Sequence, residues 1–541
     1  MSDLHFLGLG GTAEVGASSY LYLLPEGNLL IDAGLRPGAL GEAALPKLEL
    51  LREHPPAVMV LTHAHLDHVA ALPLVTREFP RLAVYCTAAT ARIAATVLAD
   101  TLKVSADQGA PLFDVKAMKR ALERLRVVEP FTPITEHGPA FTLLPSGHLF
   151  GAVSVDLRSR RGRVFHTGDF SNVATPTTEP AFMPAEEQPV TAVVSESTYG
   201  DTLLPSRKEQ VRAFVTAIQE TLRGGGKVLI PSFALGRAQE MVSILLSAMA
   251  GGQLREVPIY LDGLVRALTE EYEGMLDLLP AALQNAQRTS GRAPFLRSPV
   301  ERVEDARMRG KILASRGPCI VIASSGMLHA GTSPLYARVF LQEVENALFV
   351  VGYQDAESPG RRLLELQRGG EVLLPDGRGG RELVPALCRV ERFYLSAHAD
   401  RGGILGLLGR YPSGKVVLTH GEVSARNNLR TYLDTKRDVS LPAAGEIVPL
   451  QDSGRRRGAF VSDAPRRLAA TRERHTRRQV QVQYDDEQHA LVVKLPEDLS
   501  PNYFGEGDYT LEVVRGKLTR IKLGQREVET EPAEPALSST E

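Results

Sequence analysis

The chain contains no tryptophan and only three cysteines in 541 residues. Any stacking on nucleic-acid bases would therefore fall to Phe, Tyr or Arg. Cys86, Cys319 and Cys388 stand far apart and form no Cys-x-x-Cys pair. That excludes a disulfide framework and a thiolate zinc knuckle, and it points to a reducing, cytoplasmic setting. No apolar run is long enough to span a bilayer, and the first residues lack a basic stretch followed by a long apolar core. Neither a membrane association nor a signal peptide is expected. Excess charge is missing too: 62 Lys and Arg face 64 Asp and Glu, a net charge of -2. This excludes a wholly basic nucleic-acid binder but leaves local basic patches open. The length implies roughly three to four units of about 150 residues.

What is present is an alternation of strands and helices. Short apolar runs at 28–31, 57–61, 163–166 and 191–194 read as buried strands, and they lead into Asp32, His63, Asp169 and Glu196. Layered α/β folds place their chemistry at such strand ends. Further runs at 227–230, 319–323, 348–351, 392–395 and 415–418 read as strands, with helices over 207–223 and 237–250. The fold class is α/β, in at least two units. Near Asp452 the character changes. An arginine-rich stretch at 455–478 precedes alternating segments at 479–484, 490–495, 509–515 and 518–523, which read as a small β-meander or hairpin pair. The acidic stretch 527–541 is rich in Pro and Ser and reads as a disordered tail.

Chemistry is concentrated in Thr62-His63-Ala64-His65-Leu66-Asp67-His68. In an extended segment residues two apart point the same way, so His63 and His65 can share one ion while Asp67 and His68 face a second. Imidazole and carboxylate without thiolate suit Zn2+, with Mn2+ or iron as alternatives. Four donors cannot complete two tetrahedral sites. His148, Asp169 and His420, each following or closing an expected strand, offer the missing ones, and an Asp carboxylate can bridge two cations. Leu-Thr-His occurs at both 61–63 and 418–420, each time closing an apolar strand.

These motifs resemble the metallo-β-lactamase superfamily and, more narrowly, its β-CASP nuclease branch. Asp32, the 63–68 cluster, His148 and Asp169 match the four superfamily motifs in order. Glu196 in Glu-Ser-Thr-Tyr-Gly, His398 in Ser-Ala-His-Ala-Asp and His420 in Thr-His-Gly-Glu match those of the nuclease branch. The segments 231–240 and 324–328 are similar to further signatures of that branch. The resemblance covers about residues 1–450. It implies an αββα sandwich over 1–202 and 387–452, with an inserted α/β domain over 203–386. A basic linker with a small β-rich unit (453–526) and the tail (527–541) follow.

The resemblance also implies two Zn2+ per chain, with Mn2+ as an alternative. His63, His65 and His148 would hold one ion and Asp67, His68 and His420 the other, with Asp169 bridging and Asp32 orienting a ligand. Such a pair acidifies a water and stabilises a phosphorane-like transition state. Asp67 is also a candidate proton acceptor, and His398, held by Glu196, the candidate general acid. His420, where DNA-processing relatives usually carry Val, favours RNA. The motif spelling favours endonucleolytic cleavage, with a 5′-to-3′ exonuclease mode open beside it. Two alternatives on the same scaffold are a small-molecule thioesterase or lactonase and a DNA-processing nuclease; the insertion of about 190 residues favours a polymer over a small ester. Arg237, His329, Arg361 and Arg362 are candidate RNA contacts, as is the 455–478 stretch. Phe233, Tyr353 and Phe504 are candidate stacking rings. Dimerisation or RNA docking are the roles open to the β-rich unit. His5, His54, His137, His166, His475 and His489 belong to no constellation and are assigned structural or surface roles.

Overall fold

The structure is a computed structural model that describes residues 4–377, 379–433, 437–451, 481–485, 490–494, 509–514 and 517–523. It divides into two compact units, Met1–Phe460 and Val461–Glu541.

Two seven-stranded sheets form the frame of the first unit. One runs Ile447–Pro449, His5–Gly10, Ser19–Leu23, Asn28–Ile31, Pro56–Val60, Ala83–Cys86 and Leu125–Val127 in spatial order. The other runs Asp438–Ser440, Lys415–Thr419, Ala192–Glu196, Gly162–His166, Val153–Ser159, Ala140–Pro145 and Pro133–Ile134. Their inner faces share one apolar core that contains Phe6, Tyr22, Val58, Val60, Val155, Val164, Val194 and Val417. The period of two decides which residues go there. Val58 and Val60 point into this core, whereas Met59 and Leu61 join the cluster that holds Val69, Leu72, Ile93 and Val97 of the covering helices. In the second sheet Val193 turns away from Val194, towards Ile404, Leu407 and Leu429. Helix, sheet, sheet, helix: the αββα sandwich is present.

The chain leaves the second sheet after Glu196 and returns to it at Lys415. Between them lies a six-stranded sheet in the order Val300–Arg302, Ile259–Asp262, Ile320–Ala323, Val228–Pro231, Ala347–Val350, Arg389–Arg392. Every pairing in it is parallel. Parallel sheets bury both faces, which explains why the inner strands Val228–Pro231, Ile320–Ala323 and Ala347–Val350 read as unbroken apolar runs, whereas the edge strands Val300–Arg302 and Arg389–Arg392 are charged and partly exposed. The helices Arg207–Arg223 and Arg237–Ala250 occupy the expected ranges.

One expected strand is displaced. The run 392–395 is not a strand; pairing with Ala347–Val350 covers Arg389–Arg392 and ends at Val350↔Arg392. Phe393 and Leu395 are buried all the same, in the segment that crosses back towards the sandwich. Burial, not strand pairing, accounts for their apolar character.

The described residues of the second unit form two antiparallel hairpins. Gln481–Asp485 pairs with Ala490–Lys494, and Tyr509–Val514 with Lys517–Leu523. The stretch 455–478, the tail 527–541 and Phe504 lie outside the described residues. Among the described residues no helix is long and apolar enough to cross a membrane.

Candidate metal centre and active site

The donors stand just beyond strand ends, as their sequence context requires. His63 follows Pro56–Val60 in the first sheet, and His420 follows Lys415–Thr419 in the second. The two Leu-Thr-His segments therefore close one strand in each sheet. His63, His68, His148, Asp169 and His420 are all buried. Gly34 shows how tightly the cluster is seated: a Cβ there would lie 1.7 Å from the Asp67 carbonyl oxygen. Gly34→Ala is therefore expected to displace Asp67 and His68, read as loss of bound metal in elemental analysis of the folded protein.

Nitrogens converge in the first group. His63 Nε2 stands 3.0 Å from His65 Nδ1, which stands 3.2 Å from His148 Nε2. Four ligands around a zinc ion at ordinary Zn–N distances are separated by about 3.3 Å, so this spacing fits a shared cation. In the second group, Asp67 Oδ2 lies 3.6 Å from His68 Nε2 and 3.4 Å from His420 Nε2. Asp169 Oδ2 reaches into both, at 3.8 Å from His63 Nε2 and His148 Nε2 and 3.3 Å from His68 Nε2. His63–His65–His148, His63–His68–Asp169 and Asp67–His68–His420 each have donor atoms within 4.8 Å of one another. His68 Nε2 is buried without a hydrogen-bond partner. An orphaned nitrogen there is expensive unless something accepts its lone pair, and a divalent cation fits this donor set.

The opposite ring nitrogens are each accounted for, which selects the tautomers. His68 Nδ1 lies 2.7 Å from Asp32 Oδ2, whose carboxylate also accepts from the Thr62 amide (2.7 Å) and hydroxyl (2.6 Å). His65 Nε2 faces the Leu235 carbonyl at 3.3 Å, and His148 Nδ1 the Ala397 carbonyl at 3.0 Å. His63 Nδ1 meets Thr62 Oγ1 at 3.0 Å, and His420 Nδ1 meets Thr198 Oγ1 at 3.1 Å. Such outer partners hold a metal-binding ring in place. Asp32 and His420 also adopt left-handed backbone conformations, with φ of 60° and 46°.

In the His63–His65–His148 group, protonation favours cation binding. Burial pushes His63 and His148 well below the usual histidine range and His65 down to about 4, leaving neutral imidazoles. Burial opposes ionisation of Asp67, yet His68 and His420 hold its carboxyl below the usual range. Burial likewise opposes charge on His68, but Asp169, Asp67 and Asp32 outweigh it and raise its pKa. These carboxylates are the negative charge that a divalent cation would neutralise.

Beside the donors, His398 Nδ1 sits 3.1 and 3.0 Å from the two Glu196 oxygens. Phe170 N–H and Thr198 Oγ1–H donate to the same carboxylate at 2.9 and 2.6 Å. Burial lowers the His398 pKa, but the Glu196 carboxylate overcomes it and raises it on balance. The His398 ring centroid lies 4.4 Å from that of His148.

Sequence reasoning passed over several of these partners. Thr198 stands between Glu196, His398 and His420, and its signal lay inside the Glu-Ser-Thr-Tyr-Gly segment. Backbone carbonyls such as Leu235 and Ala397 carry no side-chain signature. His166, assigned a structural role, is buried, with Nδ1 2.9 Å from the Tyr22 hydroxyl.

The expected RNA contacts divide. Arg237 is not an open phosphate contact: it is 5% exposed and ion-paired with Glu240, which also binds Arg207. His329 pairs with Asp355 at 3.2 Å and lies against Gly38 of the sandwich. Arg361 bonds Glu365 at 2.5 Å on a partly exposed helix turn, and Arg362 is exposed.

Comparison with known proteins agrees with this architecture. The profile of the metallo-beta-lactamase superfamily matches residues 13–190, that of the Beta-Casp domain 238–363, and that of the Zn-dependent metallo-hydrolase RNA specificity domain 384–442. The chain is 31% identical over 461 residues to the transcription termination factor FttA of Lokiarchaeum sp., covering 82% of this chain and 71% of that protein. It is 28% identical over 448 residues to an RNase J-like protein of Methanocaldococcus jannaschii, covering 82% and 98%. FttA of Pyrococcus horikoshii is 30% identical over 468 residues, covering 82% and 70%. The chain belongs to the metallo-β-lactamase superfamily, in its β-CASP ribonuclease branch, and is a metal-dependent nuclease.

Proposed function

We propose that this protein is a two-zinc ribonuclease that cuts single-stranded RNA internally, with a 5′-to-3′ exonuclease mode beside it. The observation that carries this reading is the pairing of two donor groups around one Asp169 oxygen with the Glu196–His398 pair next to them. His63, His65 and His148 would hold one ion and Asp67, His68 and His420 the other, with Asp169 between. When bound, the ions supply Lewis acidity and an acidified water. Mn2+ suits the same donors less selectively.

The chain's own groups do the rest. Asp67 would accept the proton of the attacking water. His398, kept protonated by Glu196, donates to the leaving oxygen of the RNA chain. Glu196 fixes the ring through Nδ1 and leaves Nε2 to carry that proton. His420 in the second donor group and the names of the relatives support RNA over DNA. A parallel α/β insertion, which meets the sandwich where the Leu235 carbonyl faces His65 Nε2, supports a polymer over a small ester. Arg361, Arg362 and His329 are the contacts we assign to the RNA backbone. The three buried free thiols support a cytoplasmic setting.

RNA labelled at either end, with matched DNA as control, tests this reading. Internal fragments from both labels support endonucleolytic cleavage. Mononucleotides from one end alone would replace that part with an exonuclease, and cleavage of DNA alone would overturn the substrate. Deleting residues 455–541 is expected to weaken RNA binding or change the oligomeric state while the rate on bound RNA holds. Unchanged binding and oligomeric state would remove both roles from that region.

A further inference from the structure

The turn that carries His420 is strained, and its supports come from more than one side. A histidine keeps a φ of 46° only where its surroundings over-determine it. Within the sandwich, His420 N–H donates to the Gly11 carbonyl at 2.7 Å, and the His420 carbonyl accepts from the Ser197 amide at 3.1 Å. Ser197 Oγ–H donates to the Thr419 carbonyl at 2.6 Å. Gly421 is pressed so close that a Cβ would stand 2.6 Å from the Ser197 carbonyl oxygen.

Another support crosses from the insertion. Tyr353 follows the strand Ala347–Val350 and donates its hydroxyl to Glu422 Oε1 at 2.5 Å. Glu422 stands two residues after His420, and its carbonyl accepts from the Arg426 amide in the first turn of the helix Val423–Leu433. The Tyr353 ring is also edge-on to Tyr199, with centroids 6.0 Å apart, and Tyr199 in turn lies 6.4 Å from the His398 ring.

We infer that Tyr353 and Glu422 are positioning residues for the metal group Asp67–His68–His420: the Tyr353 hydroxyl pins the strained His420 turn from the side of the insertion. Retention of the second metal then depends on where the insertion sits. This rests on the reading that Asp67, His68 and His420 hold a metal. A charge-assisted hydrogen bond of this kind is among the stronger ones available, and an outer partner of a ligand typically changes metal affinity by about 10–100-fold. Base stacking, the other use of the same ring, needs its face and not its hydroxyl, so one variant separates the two.

The test is Tyr353→Phe in the full chain, with zinc as the probe in a chelator competition. Release of one zinc equivalent is expected at a chelator concentration about 10-fold lower than for wild type. Activity lost at limiting zinc should return when zinc is added, with KM for RNA unchanged at saturating zinc. Glu422→Ala should behave alike, Glu422→Gln should recover part of the loss, and the zinc-loaded variants should melt as wild type does. Unchanged zinc affinity in Tyr353→Phe would overturn the inference, as would a raised KM with zinc affinity intact. Should Tyr353→Phe not fold, the Glu422 pair carries the same comparison. Wild-type protein that takes up no zinc would instead count against the two-metal reading beneath it.

Discussion

Asp67→Ala is expected to abolish hydrolysis of single-stranded RNA while leaving the protein folded. Two tasks are proposed for Asp67. Its Oδ2 stands in the second donor group, 3.6 Å from His68 Nε2 and 3.4 Å from His420 Nε2, and the same carboxylate is the proposed acceptor of the water's proton. Loss of a metal ligand and of a base together should reduce the rate by at least about 10³-fold, since general base catalysis alone contributes roughly 10²–10⁴-fold. Folding should survive because the side chain is 15% exposed and lies at the edge of the core, not within it. His68→Ala should inactivate equally but cost more stability. It leaves the Asp32 carboxylate buried with only Thr62 as partner. RNA turnover with circular dichroism of metal-replete variants checks both. Near-normal turnover in Asp67→Ala would remove it from the site.

His398→Ala should lower the rate by about 10²–10⁴-fold with both metals retained, because a general acid is not a ligand. Elemental analysis distinguishes the cases: loss of one zinc would make His398 part of the metal centre, which its 4.4 Å ring separation from His148 leaves geometrically open. The pH dependence supplies an independent sign. Burial alone would depress the His398 pKa, and Glu196 reverses this and raises it. The protonated acid therefore persists to higher pH than in an ordinary histidine, and activity falls as pH rises through the raised value. Glu196→Gln removes the charge and keeps the shape. The alkaline limb of kcat should then move to lower pH; an unmoved limb would show that another group is the acid.

Much of the site was legible because its donors lie where strands end. The cluster at 63–68 packs four donors into one turn, and His148, Asp169 and His420 each follow an apolar strand that local pattern reveals. Asp32, Glu196 and His398 were readable only as parts of longer motifs, since a lone buried acid or histidine carries no signal of its own. The α/β insertion was legible from the unbroken apolar runs at 227–230, 319–323 and 348–351, though its strands Ile259–Asp262 and Val300–Arg302 were not, and 392–395 misled because a buried crossing segment has the composition of a strand. Arg237 was misplaced for a related reason: sequence does not distinguish an arginine that faces RNA from one neutralised by Glu240 three residues on. The Leu235 and Ala397 carbonyls, and the Tyr353–Glu422 bond, depend on tertiary approach between segments far apart in the chain. Nothing in local spacing announces them.

The most direct test is to strip the full chain of metal, titrate zinc back, and follow bound zinc and hydrolysis of single-stranded RNA together. The proposed site predicts that cleavage is absent from stripped protein and saturates at two zinc ions per chain, with matched DNA left intact. Cleavage by the stripped protein at the full rate, or a zinc-loaded protein that leaves RNA uncut, would contradict it.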